Sequence, residues 1–355
     1  MPSPEVQKAL LFAAKGSPFA VGTRPIPKPG PGQVLVKIHS AALNPVDNFI
    51  QSFGVFVEEW PFVAGSDAAG VVEAIGENVQ GLEKGDRVLY QCLFTPDRGT
   101  FQQYGIADGI RAAKIPPNIS FEGASTLPLG LATASIGLYE KKSSRGGVGL
   151  FPPWEEGGRG KYQGQPILVI GGASSVGQFA IQLAKLSGFS PIITTCSSHS
   201  AAYCVAAGAT HTIDYHTTPY SDLSSAIRAI VGPSTSISVI YDAISIPESQ
   251  RACWDILAPN GSIVVTLTPV VGKAGEEAED GKRTVWVYGN VNQPDNQELG
   301  TALYSKLTAL LAEGAIKPNN IDVLPDGLAG IPDGLKRLAS GVSGVKLVAH
   351  PQETP

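Results

Sequence analysis

The run Pro166–Lys185, PILVIGGASSVGQFAIQLAK, constrains the fold of this chain more than any other segment. A short apolar stretch with the composition of a buried strand breaks at Gly171-Gly172 into a turn of small residues. Val176, Phe179, Ala180, Leu183 and Ala184 then recur at helical spacing. Strand, tight turn and helix in this order begin a βαβ unit of the dinucleotide-binding type. In such a unit the N–H groups of the turn and the positive end of the helix face a pyrophosphate. Against the pattern G-x-G-x-x-G the segment supplies Gly172 and Gly177, with Ser174 where a second glycine is usual. Serine still lets the backbone approach a phosphate, and its hydroxyl can donate to one. A glycine-rich turn of an ordinary α/β domain would read the same way in isolation.

Pro191–Cys196 (PIITTC) reads as the next strand. Selectivity for NAD would place Asp or Glu near its end, against the adenosine ribose hydroxyls. No acidic residue occurs between Gln178 and Ile213. The strand runs instead into Ser197, Ser198, His199 and Ser200, a cluster able to hold a ribose phosphate that a carboxylate would repel. Tyr215 follows a third strand in ATHTIDYHT and offers a further donor. The expected coenzyme is NADPH rather than NADH. N-capping of the helix at AAYCVAAGA is a second role open to the serines.

Composition narrows the class. The 355 residues suit two domains. With 43% hydrophobic and 16% charged residues, the chain is that of a packed globular enzyme. A formal charge of −5 and the lack of a basic stripe argue against nucleic-acid binding. No apolar run has the length of a membrane span, and MPSPEVQKALLF lacks a signal-peptide pattern, so a soluble cytoplasmic protein is expected. Cys92, Cys196, Cys204 and Cys253 are scattered without C-x-x-C spacing and read as buried or half-buried free thiols.

The first third is β-rich: Val34–Leu43, Ala68–Gly76 and Asp86–Phe94 are short apolar strands between glycine-rich turns. Phe121–Glu140 turns helical. Ser143–Gly164 is rich in Gly, Pro and charge and reads as an exposed loop. Strands and helices then alternate, with later strands at Val239–Ser245, Ser262–Leu267 and Val285–Gly289. Val271–Lys282 reads as a polar loop able to form part of a lid. After Asn296 a helical segment and the closing VKLVAH strand return to the first domain.

The order of GSDAAGVV (65–72), GDRV (85–88), LPLGLATASIGL (127–138), the nucleotide turn and the closing KLV resembles the medium-chain dehydrogenase/reductase superfamily over nearly the whole chain. VGLFPPW followed by PILVIGGASSVGQFAIQLAKLSG is similar, more narrowly, to fungal zinc-independent members, among them trans-acting enoyl reductases that partner polyketide synthases. The resemblance implies an α/β fold: a Rossmann doubly wound parallel sheet over 133–296 and a GroES-like β-barrel catalytic domain from 1–132 and 297–355. Zinc-dependent relatives carry a ligand cysteine where this chain has Asn44, and their G-H-E is here Gly65-Ser66-Asp67. Without soft ligands no catalytic zinc is expected.

The chemistry so implied is hydride delivery from NADPH to an activated C=C bond of an enone or enoyl thioester, or to a quinone. Position by position, the resemblance puts Val46, Asp47 and Asn48 beside the cofactor, with Asn44 nearby, and Thr133 near the nicotinamide or the substrate carbonyl. Asn44 and Thr133 are the candidate catalytic residues. Ser174, Ser175, Val176 and Gly177 would cradle the pyrophosphate. Ser197, Ser198, His199 and Tyr215 would bind the adenosine phosphate. Leu267, Val345 and Lys346 would border the nicotinamide ribose. Phe49 stands where enoyl reductases of this type tend to have lysine, which tilts the substrate toward small enones, quinones or aldehydes. Plainer roles stay open: Asn44 and Asp67 as loop ties, Thr133 as a packing residue, Tyr215 as a surface aromatic. Two other functions also remain open: a reductase acting only on a carrier-bound polyketide, and a non-catalytic NADPH-binding regulator.

Overall fold

Strands that are apolar on both faces require cover on both sides, and the middle of the chain supplies them with intervening helices. In the computed structural model, which describes residues 5–143 and 145–355, these strands form a six-stranded sheet. Its spatial order is His211–Asp214, Ile192–Cys196, Ile167–Ile170, Ile237–Asp242, Leu257–Val265 and Arg283–Trp286. Every ladder is parallel. The chain starts in the centre at Ile167–Ile170, winds to one edge and returns to build the other. This is the doubly wound order expected from the sequence. It opens a crevice at the carboxyl ends of the central strands, where the winding reverses.

The predicted strand–turn–helix is present. Gly171 leaves the first strand with φ 75°, a region that glycine enters at no steric cost. Helix Ser175–Ser187 follows, and Phe179, Ala180, Leu183 and Ala184 on its predicted apolar face are fully buried. A Cβ on Gly177 would lie 2.2 Å from the Gly171 carbonyl oxygen, so only glycine lets the helix start this close to the turn. The helical stretch predicted over Phe121–Glu140 is two helices, Phe121–Ser125 and Pro128–Tyr139, because Pro128 starts a new first turn. The second is apolar on all sides and nearly all buried, wedged between the sheet and its helices.

The first domain curls a seven-stranded sheet into a barrel. The long strand Gln33–Ala42 pairs with Asp67–Ile75 and Tyr104–Asp108, and register shifts at Leu35/Val36 and Ile38/Ser40 help it bend. Its end also pairs with Lys346–Ala349, Val348 opposite Ala42, so the last strand of the chain joins the first domain. Helix Gln297–Ala312 buries Leu303, Leu307 and Leu311 in the same core as Leu131 and Phe179, while Thr308 donates 2.8 Å to the Lys114 carbonyl of the barrel.

One expectation needs correction. The described part of Ser143–Gly164 is not simply an exposed loop; Ser144 lies outside the described residues. Val148 and Leu150 donate to the carbonyls of Gly137 and Leu138, and this stitching carries Trp154 into the core, edge-on to Tyr139 at 5.1 Å. Val271–Lys282 is a loop, as expected, and it is tied down. Gly275 N–H donates 3.3 Å to the Thr284 carbonyl, and Glu277 bridges Arg283, so the segment covers the open edge of the last strand. Among the described residues no helix is long and apolar enough to cross a membrane. All four cysteines are buried and unpaired, as expected.

Candidate active site

The cleft between barrel and sheet has two walls. On the sheet side, Ser174 caps the helix by accepting from the Gly177 N–H at 3.0 Å, which leaves its own hydroxyl proton free to donate. The N–H groups of Ser175 and Val176, in the first turn, have no carbonyl partner within the helix. The half-buried backbone from Ala173 to Val176, brought close to the strand end by Gly177, fits a dinucleotide pyrophosphate. The Ser175 hydroxyl accepts 2.6 Å from Asn319, so a residue from the returning C-terminal segment steadies this turn.

At the end of the second strand, Ser197 is buried with its hydroxyl 3.3 Å from His199 Nε2, while Ser198 and His199 are exposed. Tyr215 is also exposed and stands beside His216, their ring centroids 4.3 Å apart. The structure adds a group that the sequence window stopped one residue short of. Asp214 pairs in register with Cys196 and so sits beside the serines. The His216 N–H, 2.9 Å from Oδ1, and the Ser198 hydroxyl hold its carboxyl below the usual carboxylate range.

The barrel wall rests on a buried polar cluster. Asp67 Oδ1 accepts 2.7 Å from the Leu129 N–H at the start of helix Pro128–Tyr139. Its Oδ2 accepts 2.9 Å from the Asn44 amide and lies 3.4 Å from the Lys346 ammonium. Lys346 also donates to the Asn44 amide oxygen. Asn44, Asp67 and Lys346 are all buried. Burial pushes the Asp67 carboxyl up, and Lys346, Asn44 and Leu129 oppose that shift. Next to them Asp47 is fully buried, accepting from the Asn44 N–H at 2.8 Å and the Gly65 N–H at 3.2 Å. Burial raises it to about 7; Asp67 adds to the shift, while the two N–H donors and Lys346 restrain it.

These residues do not fit a divalent metal. The acceptor atoms of Asn44 and Asp67 are already engaged, and the ammonium of Lys346 supplies the local positive charge. Ser66 adds only a buried hydroxyl. Cys92 donates its S–H to the Gly65 carbonyl at 2.9 Å, and burial, with Asp47 and Asp67 nearby, raises that thiol far above its usual range, so it stays protonated. Among the described residues no group of three or more His, Cys, Asp and Glu is arranged around a common point.

The remaining candidates fall in different places. Thr133 donates its hydroxyl 2.7 Å to Leu129 of its own helix and packs against Gly289, whose Cβ would lie 2.0 Å from that oxygen. Asn48 donates 3.1 Å to the Leu335 carbonyl, tying helix Pro45–Phe53 to the C-terminal segment. Val46 and Val345 are half-buried, and Leu267 is exposed at the carboxyl end of its strand. Sequence reading missed three further exposed apolar residues, Ile244, Ile246 and Val270, which like Leu267 follow the carboxyl ends of neighbouring strands. It also missed the clamp between domains. Gln91 donates 2.7 Å to the Gly289 carbonyl and accepts from the Val291 N–H, while Asn290 and Asn292 donate to Cys92 and Gln91. The available signal was position, since residues just past the strand ends of a parallel sheet line its crevice.

Comparison with known proteins agrees with this arrangement. Residues 30–117 match the family described as alcohol dehydrogenase GroES-like domain, and residues 175–278 match zinc-binding dehydrogenase. Dehydrogenase azaJ of Aspergillus niger is 32% identical over 96% of this chain and 97% of its own length. Trans-enoyl reductase FMN2 of Fusarium mangiferae is 28% identical, covering 96% and 98%. The quinone oxidoreductase of Coxiella burnetii superposes with a TM-score of 0.70 at 26% identity, covering 97% of this chain and 98% of that one.

Two outcomes follow from the cluster. Lys346→Met leaves Asp67 buried without its counter-ion and should cost about 3–5 kcal/mol in denaturant unfolding. The double variant Asp67→Asn/Lys346→Met should recover much of the loss; equal stability of wild type and Lys346→Met would contradict the pairing. For Asp47, the folded-state value lies above the ordinary 3.8. Its protonated form therefore favours the folded chain, fully below about pH 4, and the benefit is lost as pH rises through about 7. Relative to Asp47→Asn, wild-type stability should fall by about 2–3 kcal/mol between pH 5 and pH 8, read by denaturant unfolding at each pH.

Proposed function

The chain belongs to the medium-chain dehydrogenase/reductase superfamily, and from that premise we propose that it is an NADPH-dependent reductase of activated C=C bonds in enones or enoyl thioesters, and of quinones, working without a metal. One observation carries the reading. Asn44, at the position of a zinc-ligand cysteine, and Asp67, beside Ser66 at the histidine position, are here tied with Lys346 into a closed amide–carboxylate–ammonium cluster. Such a cluster cannot polarise an alcohol as a Lewis acid does, so the activation must reside in the substrate, as it does in a conjugated carbonyl. The similarity to a trans-enoyl reductase and to a quinone oxidoreductase supports the same class.

Reduced nicotinamide, when bound, supplies hydride to the β-carbon of the conjugated system. The chain's own residues bind, orient and dry the site. Ser174 and the N–H groups of Ser175 and Val176 take the pyrophosphate. Ser197, His199 and Tyr215 take the adenosine phosphate, with Ser198 held beside them by Asp214. Ile244, Ile246, Leu267 and Val270 exclude water along the coenzyme edge, which strengthens the polar contacts there. Val46, Asp47 and Asn48 shape the barrel wall, and Val345 closes the ribose side. Asn44 and Thr133, both engaged with protein acceptors, act as positioning residues, and solvent supplies the proton that completes the reduction.

A second reading of the coenzyme has its own observation. The ionised Asp214 beside Ser198 would suit the ribose hydroxyls of NADH better than a phosphate. NADPH remains the proposed coenzyme because the Asp214 carboxylate is turned to the His216 N–H and the Ser198 hydroxyl, while His199 and Tyr215 stand exposed as donors for a ribose phosphate. Fluorescence titration with both coenzymes discriminates. Wild type should prefer NADPH, and Tyr215→Phe should weaken NADPH about five- to tenfold while leaving NADH within twofold. Tighter binding of NADH, or equal losses for both, would overturn the NADPH assignment. Turnover is tested with enones, quinones and enoyl thioesters at the NADPH absorbance. Binding without turnover on the whole panel would instead favour a regulatory protein.

A further inference from the structure

A row of aromatic rings that crosses from one domain to the other ends in an arginine that the coenzyme cradle does not use. Phe56 adopts φ 64° and is half-exposed, and it stacks on Phe94 with ring centroids 5.2 Å apart and planes 13° from parallel. Its other flank meets Tyr288 at 5.5 Å. Phe56 and Phe94 come from the barrel, whereas Tyr288 follows the last strand of the parallel sheet, so the rings cross from one domain to the other. Arg145 closes the row. Its guanidinium lies 4.0 Å from the Trp286 ring centroid and 5.3 Å from that of Tyr288.

Nearby in the chain, Lys141 pairs with Glu298. Arg145 makes no ion pair among the described residues, yet it is held in place by two aromatic faces. Stacking fixes the plane of a guanidinium while leaving its N–H edge open. An open, oriented edge of this kind matches an oxyanion in two parallel hydrogen bonds.

Resting on the enoyl-reductase reading above, we propose that Arg145 anchors the phosphate of an acyl-phosphopantetheine thioester whose arm lies along Phe56, Phe94 and Tyr288. The same phosphate occurs in a free coenzyme A thioester and in one attached to a carrier domain. Three forms of one enoyl thioester separate the sources: pantetheine without phosphate, coenzyme A, and carrier-bound. Arg145→Gln should lose about tenfold in kcat/KM on both phosphate-bearing forms relative to its effect on the pantetheine form, with the loss carried by KM. Arg145→Lys should recover part of it, and added salt should weaken only the phosphate-bearing substrates. A relative loss on coenzyme A alone would identify the free thioester as the source.

Calorimetric binding of a saturated acyl-phosphopantetheine thioester tests the anchor apart from turnover. Tenfold weaker binding by Arg145→Gln supports it even should the reduction assay fail, in which case only the functional reading falls. Equal losses on all three substrates, no loss on any, a loss confined to the carrier-bound form, or unchanged calorimetric affinity would each overturn the proposal.

Discussion

One buried carboxylate, that of Asp67, holds the cleft in shape. It lies in the barrel strand Asp67–Ile75 and takes its donors from three other segments: the loop at Asn44, the first turn of helix Pro128–Tyr139 at Leu129, and the C-terminal strand at Lys346. A carboxylate this deep is tolerated only when its lone pairs are filled and its charge is met. Satisfying it therefore fixes where three distant pieces of chain must lie. The Leu129 contact matters most for architecture, since it sets the start of the helix that packs against the parallel sheet. Tyr241 on that sheet then donates 2.8 Å to the Thr133 carbonyl one turn further on. Barrel, helix and sheet are thereby aligned, and the crevice between them takes a defined width.

The two walls of that crevice divide the chemistry. On the proposed reading, the sheet wall offers its unfilled N–H groups and hydroxyls to the coenzyme phosphates. The barrel wall presents backbone and apolar side chains around an internally neutralised cluster. Charge inside a low-dielectric wall is costly unless paired, and here Lys346 supplies the pairing for Asp67. On the same reading this wall orients the substrate and leaves electrophilic activation to the substrate itself.

Local features were legible in the sequence. The turn at Gly171–Gly177, the buried face of its helix, the strands on either side and the free cysteines depend on neighbours a few residues away, and periodicity reports such neighbours directly. The contacts that define the site depend on distant partners. Asn44 and Asp67 stand 23 residues apart, and Asn44 and Lys346 stand 302 apart. No spacing rule joins them, although the residues were singled out one by one through the family resemblance. Asp214 escaped notice because a scan along the second strand ignores what a parallel neighbour brings alongside. Trp154 shows the opposite error: a polar, glycine-rich setting reads as exposed, while hydrogen bonds from Val148 and Leu150 to the helix end draw it inward. Arg145 and Tyr288 meet only through the fold, so their pairing left no trace in sequence order.

The central claim is that hydride passes to a carbon–carbon double bond without help from a metal ion. Its most direct test follows deuterium from 4-deuterated NADPH into an enone, using protein stripped by a strong chelator and verified by elemental analysis. The account predicts deuterium at the β-carbon and a turnover rate equal to that of untreated protein. Deuterium at the carbonyl carbon, or activity lost on chelation and restored by zinc, would contradict it.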